Sequence, residues 1–135
     1  EDIMRVASFV GIGRAEPQEI DEVNILCATR LAMERAAEKC PARMILVDAM
    51  DGLKLPGTVV SVTKGDATSY SIAVASIVAK VLRDREMREM HALHPLFGFA
   101  SNKGYGTAEH IQALRNHGPC GVHRRSFIHG ILTQH

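Results

Sequence analysis

Hydrophobic and polar positions along the chain predict short strands that alternate with helices. Residues 5–13, RVASFVGIG, are rich in β-branched and aromatic side chains and end in glycine, which predicts a strand. Residues 43–49, RMILVDA, form a continuous apolar run of the kind expected for a strand covered on both faces. Residues 58–65, TVVSVTKG, predict another strand.

Helical signals fill most of the remaining chain. A helix can begin at Glu16-Pro17, because proline is tolerated in the first turn, and Pro41 ends it. A long helix is predicted from about Lys64 to about His91. The loop HPLFGFASNKGYG leads into a shorter helix, TAEHIQALRNHG, which has a threonine cap and a closing glycine. The basic tail that follows is expected to be irregular.

The order strand–helix–strand–strand–helix–helix indicates an α/β fold. The chain has 135 residues, enough for one compact domain, so we expect a single domain over residues 1–135 with a helical, basic tail from about residue 107. The net charge is only +1, so a nucleic-acid ligand would have to be bound by a local basic patch.

Cysteine usage and hydropathy favour a cytoplasmic protein. The three cysteines, Cys27, Cys40 and Cys120, are widely spaced, which argues against a disulfide framework. No apolar run approaches the roughly 18 residues of a membrane span, and no basic region marks a secretory signal. The chain does not begin with Met and a predicted strand follows within a few residues, so we expect a piece of a longer protein or one whose front has been removed.

On a helical wheel, the segment KGDATSYSIAVASIVAKVLRDREM places small and polar side chains on one narrow stripe. The rest of the helix is apolar, so we expect it to be buried on most sides. The stripe consists of Ser69, Ala73, Ser76, Lys80, Arg83, Asp84 and Met87. In one interpretation the stripe is a solvated face on which Asp84 pairs with Lys80 or Arg88. In the other, Asp84 is a ligand that faces a cleft.

Asp48 is a second candidate carboxylate, because it follows MILV near the end of a predicted strand, where open α/β sheets place their sites. The alternative is an Asx residue that opens the turn before Gly52. Asp51 is expected on the loop surface. Asp48 and Asp84, converging from separate elements, would form a hard oxygen site suited to Mg²⁺ or Mn²⁺.

Five separated blocks, GRAEPQEIDEVNILCATRLAMERA, LVDAMDGLKLP, KGDATSYSIAVASIVAKVLRDREM, FGFASNKGYGTAEHIQAL and HRRSF, together resemble bacterial type 2 ribonuclease H (ribonuclease HII). The resemblance covers nearly the whole chain. It implies an RNase H-like α/β fold with a central mixed sheet flanked by helices. It also implies a cytoplasmic endonuclease of DNA replication and repair that cuts the RNA strand of RNA–DNA hybrids and incises at ribonucleotides embedded in duplex DNA. No membrane partner and no obligatory oligomer are expected.

The resemblance assigns roles to individual residues. Asp48 and Asp84 match two of the family's four metal-binding carboxylates, which hold two Mg²⁺ or Mn²⁺ ions at the scissile phosphate. Tyr105 matches the tyrosine that packs against the deoxyribose at the RNA–DNA junction, where the missing 2′-OH separates DNA from RNA.

Basic side chains near these positions are candidates for contact with substrate phosphates. They are Lys64, Lys80, Lys103, Arg124 and Arg125. The alternative for the arginines is a solvated tail, and the alternative for Lys80 is neutralisation of Asp84.

The chain departs from the family in two places. Family members begin with a strand that carries an Asp-Glu pair followed by a Gly-Arg-Gly turn, and nothing here matches it, so N-terminal strands are expected to be missing. Ala49-Met50 stands where the family has Gly-Asn. We therefore expect weak Mg²⁺ binding and poor or no cleavage by this chain. The alternatives are a non-catalytic module that binds hybrids and a fragment without activity of its own.

His117, Cys120 and His123 form an H-x₂-C-x₂-H pattern for which only His129 could supply a fourth ligand. The spacing is unlike the common paired zinc motifs, and the resemblance implies no zinc. Met33, Met87 and Met90, at helical positions, are expected in the core.

Overall fold

The computed structural model describes residues 2–133. The chain divides into two compact units, one ending at Ala79 and one beginning at Lys80, and each is described by itself. That residues 1–135 form a single domain stays a prediction.

The described residues form an α/β arrangement, which confirms the predicted fold class. The helices are α1 (Asp2–Val6), α2 (Pro17–Ala37), α3 (Gly65–Thr68), α4 (Tyr70–Leu93), α5 (Phe99–Asn102), α6 (Ala108–His117) and α7 (Arg125–Thr133), with a 3₁₀ turn at Pro95–Phe97. The strands are β1 (Met44–Asp48) and β2 (Thr58–Val62). Within residues 2–133, none of the helices combines the length and the apolar character that crossing a bilayer demands.

The two predicted strands after α2 are confirmed, and they pair in parallel from Met44 opposite Thr58 to Asp48 opposite Val62. The expectation that β1 is covered on both faces is wrong. Val47 is buried, whereas Met44 is 62% exposed. The reason is that the sheet described within residues 2–133 holds this parallel pair, a smaller element than the central mixed sheet that the resemblance implies.

The strand predicted at residues 5–13 is wrong. The structure has α1 at Asp2–Val6, followed by a segment without regular structure up to residue 16. A strand needs a partner for its backbone groups, and β1 and β2 pair with each other. The segment instead lies against α2, so closely that a Cβ atom on Gly11 or Gly13 would come within 1.8 Å of a carbonyl oxygen of that helix.

Helix α2 begins at Pro17, as predicted, and Glu16 N–H donates a hydrogen bond to Glu19 Oε2 at 2.9 Å. The helix is kinked at Asn24, whose φ of 68° is left-handed. The Asn24 side chain accepts a hydrogen bond from Cys27 N–H at 3.1 Å. Asn24 thus caps the second half of the helix from inside.

Arg35 ties the segment before α2 to the helix. Its guanidinium donates to both carboxylate oxygens of Glu19, at 2.9 and 2.6 Å, and to the carbonyl oxygen of Arg14 at 2.6 Å. The hydrogen bond from Arg35 is the largest cause that lowers the pKa of Glu19 from 4.5 to about 2.

The second unit is built around an apolar core. Its buried members come from α4, the 3₁₀ turn, α5, α6 and α7 and are Met87, Phe97, Phe99, Leu114 and Ile128. Met90 packs against this core, so the predictions for Met87 and Met90 are confirmed. The threonine cap of α6 is also confirmed, because Thr107 Oγ1 accepts from His110 N–H at 3.3 Å.

Two predictions in this part of the chain are wrong. The tail is not irregular, because α7 covers Arg125–Thr133 and turns Ile128 and Ile131 toward the core. Helix α4 begins only at Tyr70, after the separate α3, and it is not buried on most sides, since Ile77 and Val81 are 54% and 52% exposed. Helical periodicity shows which positions share a face but not how much surface covers that face.

Replacing Glu19 with Gln should lower the urea midpoint of unfolding at pH 7 and flatten its dependence on acid. The folded-state pKa of about 2 lies below the ordinary 4.5. The stabilisation is therefore present above pH 4.5 and is lost as pH falls from 4.5 toward 2. Urea unfolding at a series of pH values measures this loss.

Glu22→Gln is the matched control, because Glu22 is exposed on the same helix. Equal acid sensitivity of the unmodified chain and the Glu19→Gln variant would contradict the assigned role of the Glu19–Arg35 pair.

Candidate functional site

Asp48 lies at the carboxyl end of β1, half-buried, where the parallel ladder ends. Its Oδ1 accepts a hydrogen bond from Gly65 N–H at 2.8 Å. A Cβ on Gly65 would lie 3.5 Å from that oxygen, an ordinary contact, and 2.5 Å from Cδ1 at the end of the Ile72 side chain. The hydrogen bond described for this carboxylate thus goes to Gly65 rather than to the turn before Gly52, the Asx alternative.

The loop after β1 is fastened to α2. Arg30 Nε donates to the carbonyl oxygen of Asp51 at 2.9 Å, and Lys54 N–H donates to Glu34 Oε1 at 2.9 Å. Asp51 itself is exposed, which confirms its predicted place on the loop surface. The two bonds hold the loop that follows Asp48 against α2.

Lys64 directly precedes the glycine that binds Asp48. It is exposed and adopts a left-handed φ of 54°, and its carbonyl oxygen accepts from Ala67 N–H and Thr68 Oγ1. Within the first unit, the structure therefore brings the predicted site residues Asp48 and Lys64 to neighbouring positions, joined through Gly65.

Asp84 lies on α4, with its Oδ2 3.5 Å from Lys80 Nζ. This is the one-turn pair of the solvated-face interpretation. The Lys80 side chain is largely exposed, and such pairs contribute at most about 1 kcal/mol. A cation could therefore displace Lys80 from the Asp84 carboxylate at small cost.

The loop that carries Tyr105 holds its backbone firmly while its ring is 75% exposed. Tyr105 N–H donates to the carbonyl oxygen of Asn102 at 2.9 Å, and its carbonyl oxygen accepts from Thr107 N–H at 2.9 Å. The buried Asn102 side chain donates to the Phe97 carbonyl oxygen at 2.6 Å and accepts from Gly104 N–H at 2.8 Å.

The same loop packs on the turn of α4 that contains Asp84. A Cβ on Gly104 would lie 3.6 Å from Arg83 Nη2 and 3.7 Å from Met87 Sδ. In the second unit, the structure therefore brings the Tyr105 loop next to the helical turn that bears Asp84. Lys103 in this loop is half-buried, and its Nζ donates to the carbonyl oxygen of Ala100.

The two arginines of HRRSF lie at the start of α7. The Arg124 guanidinium carbon is 4.0 Å from the centroid of the Phe127 ring, a cation–π contact. Arg125 is exposed at the first position of the helix. Arg125 thus lies on α7, and Arg124 directly precedes it.

Two residues of the H-x₂-C-x₂-H pattern, Cys120 and His123, contact each other, and His123 also contacts His110. His123 Nδ1 accepts from Cys120 N–H at 3.0 Å, and its Nε2 lies 3.1 Å from His110 Nε2. Among residues 2–133, no three His, Cys, Asp or Glu side chains are grouped so as to hold a metal ion. The sequence analysis did not single out His110. Its position one turn before Leu114 places the two residues on the same face of the helix, which was a signal that His110 is buried.

The comparisons with known proteins agree with the resemblance. The family model described as Ribonuclease HII matches residues 5–130. Ribonuclease HII of Caldanaerobacter subterraneus subsp. tengcongensis is 49% identical over 134 residues, covering 98% of this chain and 56% of that relative. Ribonuclease HII of Syntrophobacter fumaroxidans is 54% identical over 129 residues, covering 94% of this chain and 55% of the relative. The chain spans about half the length of these curated relatives.

Ala49→Gly should stabilise the chain by about 0.5–1 kcal/mol. Ala49 has a left-handed φ of 44°, which strains any residue with a Cβ atom and explains why glycine suits this position. Chemical denaturation measures the change. Ala75→Gly, on an exposed position inside α4, is the control and should cost about 1 kcal/mol. A loss of stability in Ala49→Gly would show that the turn carries no such strain.

Proposed function

The chain belongs to the ribonuclease HII family, and from that membership we propose that it acts on RNA–DNA hybrids and on duplex DNA with embedded ribonucleotides as a metal-dependent endonuclease. The observation that carries the proposal is the Asp48 carboxylate, held at the end of β1 by Gly65 N–H at 2.8 Å in a chain that matches the family over residues 5–130. Cytoplasmic location and a role in DNA replication and repair are parts of the same proposal.

The donor chemistry fits a divalent ion. Carboxylate oxygens are the ligands that Mg²⁺ and Mn²⁺ prefer, and Asp48 and Asp84 each offer them. When bound, two such ions would stabilise the charge that develops on the scissile phosphate and the leaving 3′ oxygen. Asp48 is oriented beforehand, because Gly65 fixes one of its oxygens, and Asp84 is held by Lys80 only through an exposed pair.

The remaining predicted residues would bind the nucleic acid. The exposed ring of Tyr105 offers a flat surface for a sugar without a 2′-OH. The charge of the substrate phosphates would be neutralised by five basic side chains, Lys64, Lys80, Lys103, Arg124 and Arg125. These contacts depend on local charge, because the net charge of the chain is only +1.

A second candidate function is hybrid binding without cleavage. It is favoured by the Tyr105 loop, which holds an exposed aromatic ring on a fixed backbone and needs no metal to do so. It also agrees with the proposal that this chain, with Asp48 and Asp84 as its matched carboxylates, binds Mg²⁺ weakly and cleaves poorly.

Removing either proposed ligand should weaken Mn²⁺ binding by about tenfold or more, because an amide oxygen carries no charge to hold the ion. We expect this for Asp48→Asn and for Asp84→Asn in calorimetric titrations of the chain. Asp51→Asn is the matched control, since Asp51 is an exposed carboxylate three residues from Asp48. Equal losses in all three variants would point to general electrostatic attraction and against a specific site.

Incision of a labelled duplex with one ribonucleotide tests the activity itself. The 135-residue chain should incise little in Mg²⁺ or Mn²⁺. A version preceded by a family strand with the Asp-Glu pair and the Gly-Arg-Gly turn should incise 5′ to the ribonucleotide, and Asp48→Asn should abolish that cut. Efficient incision by the chain alone would refute the impairment. No incision by the extended version would refute the nuclease proposal.

A further inference from the structure

Two histidines are among the most deeply buried polar residues described in the second unit. His110 on α6 and His123 before α7 are 4% and 8% exposed. The proposed function uses neither of them, and a buried imidazole needs hydrogen-bond partners to offset its loss of water. Where these partners lie determines what the pair does.

The hydrogen bonds of the pair fix the proton on each ring. His123 Nδ1 lies 3.0 Å from Cys120 N, which can only donate, 3.1 Å from Cys120 Sγ and 3.3 Å from the Cys120 carbonyl oxygen. Because the contact with Cys120 N–H is the shortest of the three, we assign Nδ1 as its acceptor and place the proton of His123 on Nε2. That Nε2–H donates to His110 Nε2 at 3.1 Å. The proton of His110 then lies on Nδ1, which donates to the carbonyl oxygen of Tyr105 at 2.8 Å.

The side chains around the pair are aromatic or apolar. Phe97 and Phe99 line the pair, with ring centroids 4.7 Å and 5.4 Å from that of His123. Burial is the main cause that lowers the pKa of His123, with smaller contributions from His110 and His94. A hydrogen bond that the charged ring can donate to the Cys120 carbonyl oxygen, 3.3 Å from Nδ1, opposes them. The other core side chains near these elements, Met87, Leu114 and Ile128, are apolar.

The series of bonds ends at the backbone of the residue whose ring is exposed. We infer that His110 and His123, as a neutral pair, are positioning residues that fix the Tyr105 backbone and thereby present its ring to the nucleic acid. His110 supplies the donor to Tyr105, and His123 holds His110 in the required tautomer. The ligand in this statement rests on the proposed function, whereas the positioning does not.

The tautomers can be measured on the unmodified chain by long-range ¹H–¹⁵N NMR of its histidines at pH 7.5. We expect the proton on Nδ1 in His110 and on Nε2 in His123, with both rings neutral. A proton on Nδ1 of His123, or a charged ring at this pH, overturns the inference without any mutation.

Variants of His110 separate hydrogen bonding from packing. Asn places an amide donor about where Nδ1 lies, whereas Gln is closer to histidine in volume but places its amide near Nε2. The order parameter of the Tyr105 amide should be about 0.85 in the unmodified chain and in His110→Asn, and below about 0.6 in His110→Ala and His110→Gln. A Gln variant as ordered as the unmodified chain, or an Ala variant with Tyr105 still ordered, overturns the positioning role. His117→Ala, at an exposed histidine of the same helix, is the control and should leave Tyr105 ordered.

Binding of a fluorescently labelled RNA–DNA hybrid connects the positioning to the proposed function. His110→Ala should weaken binding as much as Tyr105→Ala does, and the double variant should be no weaker than either single one. Additive losses would overturn the link between the pair and the Tyr105 ring. If the unmodified chain binds no hybrid, the proposed ligand fails, and the NMR results still decide whether the pair positions Tyr105.

Discussion

The amide of Gly65 determines where the Asp48 carboxylate is held, and much of the first unit supports that one hydrogen bond. The parallel register of β1 and β2 brings Asp48 opposite Val62, three residues before Gly65. Helix α2 fastens the loop that leaves Asp48 through Arg30. This local arrangement orients one Asp48 oxygen in advance, as the proposed metal site would require.

In the second unit, side-chain hydrogen bonds also hold a surface feature in place, here the loop that carries Tyr105. A loop with an exposed aromatic ring would ordinarily be mobile, since little of its surface is buried. Here three buried polar side chains, Asn102, His110 and His123, are turned inward to bond backbone atoms of that loop or each other. Both units thus use side-chain bonds to backbone groups to fix a surface feature that the sheet or core alone does not order.

The parts of the fold that were predictable from the sequence depend on local signals. These signals act through neighbouring residues, and they are Pro17 at the start of α2, Thr107 before α6 and the apolar runs of β1 and β2. The strand predicted at residues 5–13 failed because pairing requires a partner that local pattern does not reveal. Burial of Ile77 and Val81 was overestimated for the same reason, since coverage is supplied by distant parts of a chain.

The candidate site shows the same division. Asp48 and Asp84 could be singled out from their positions after a strand and on a helical stripe, and the family resemblance gave them roles. The bond from Gly65 to Asp48 spans 17 residues, and the contact between His110 and His123 spans 13. Neither contact produces a periodic pattern in the sequence, so both could be identified only from the structure.

The close approach of Gly11 and Gly13 to α2 limits how this part of the chain can change during evolution. A methyl group at either position would overlap a carbonyl oxygen of Ala36 or Ala32, and backbone atoms cannot rotate away as a side-chain end can. Alanine, the smallest replacement, is therefore already too large. Both glycines should therefore vary little among related sequences. Substitutions in this segment should occur mainly at residues that face away from the helix.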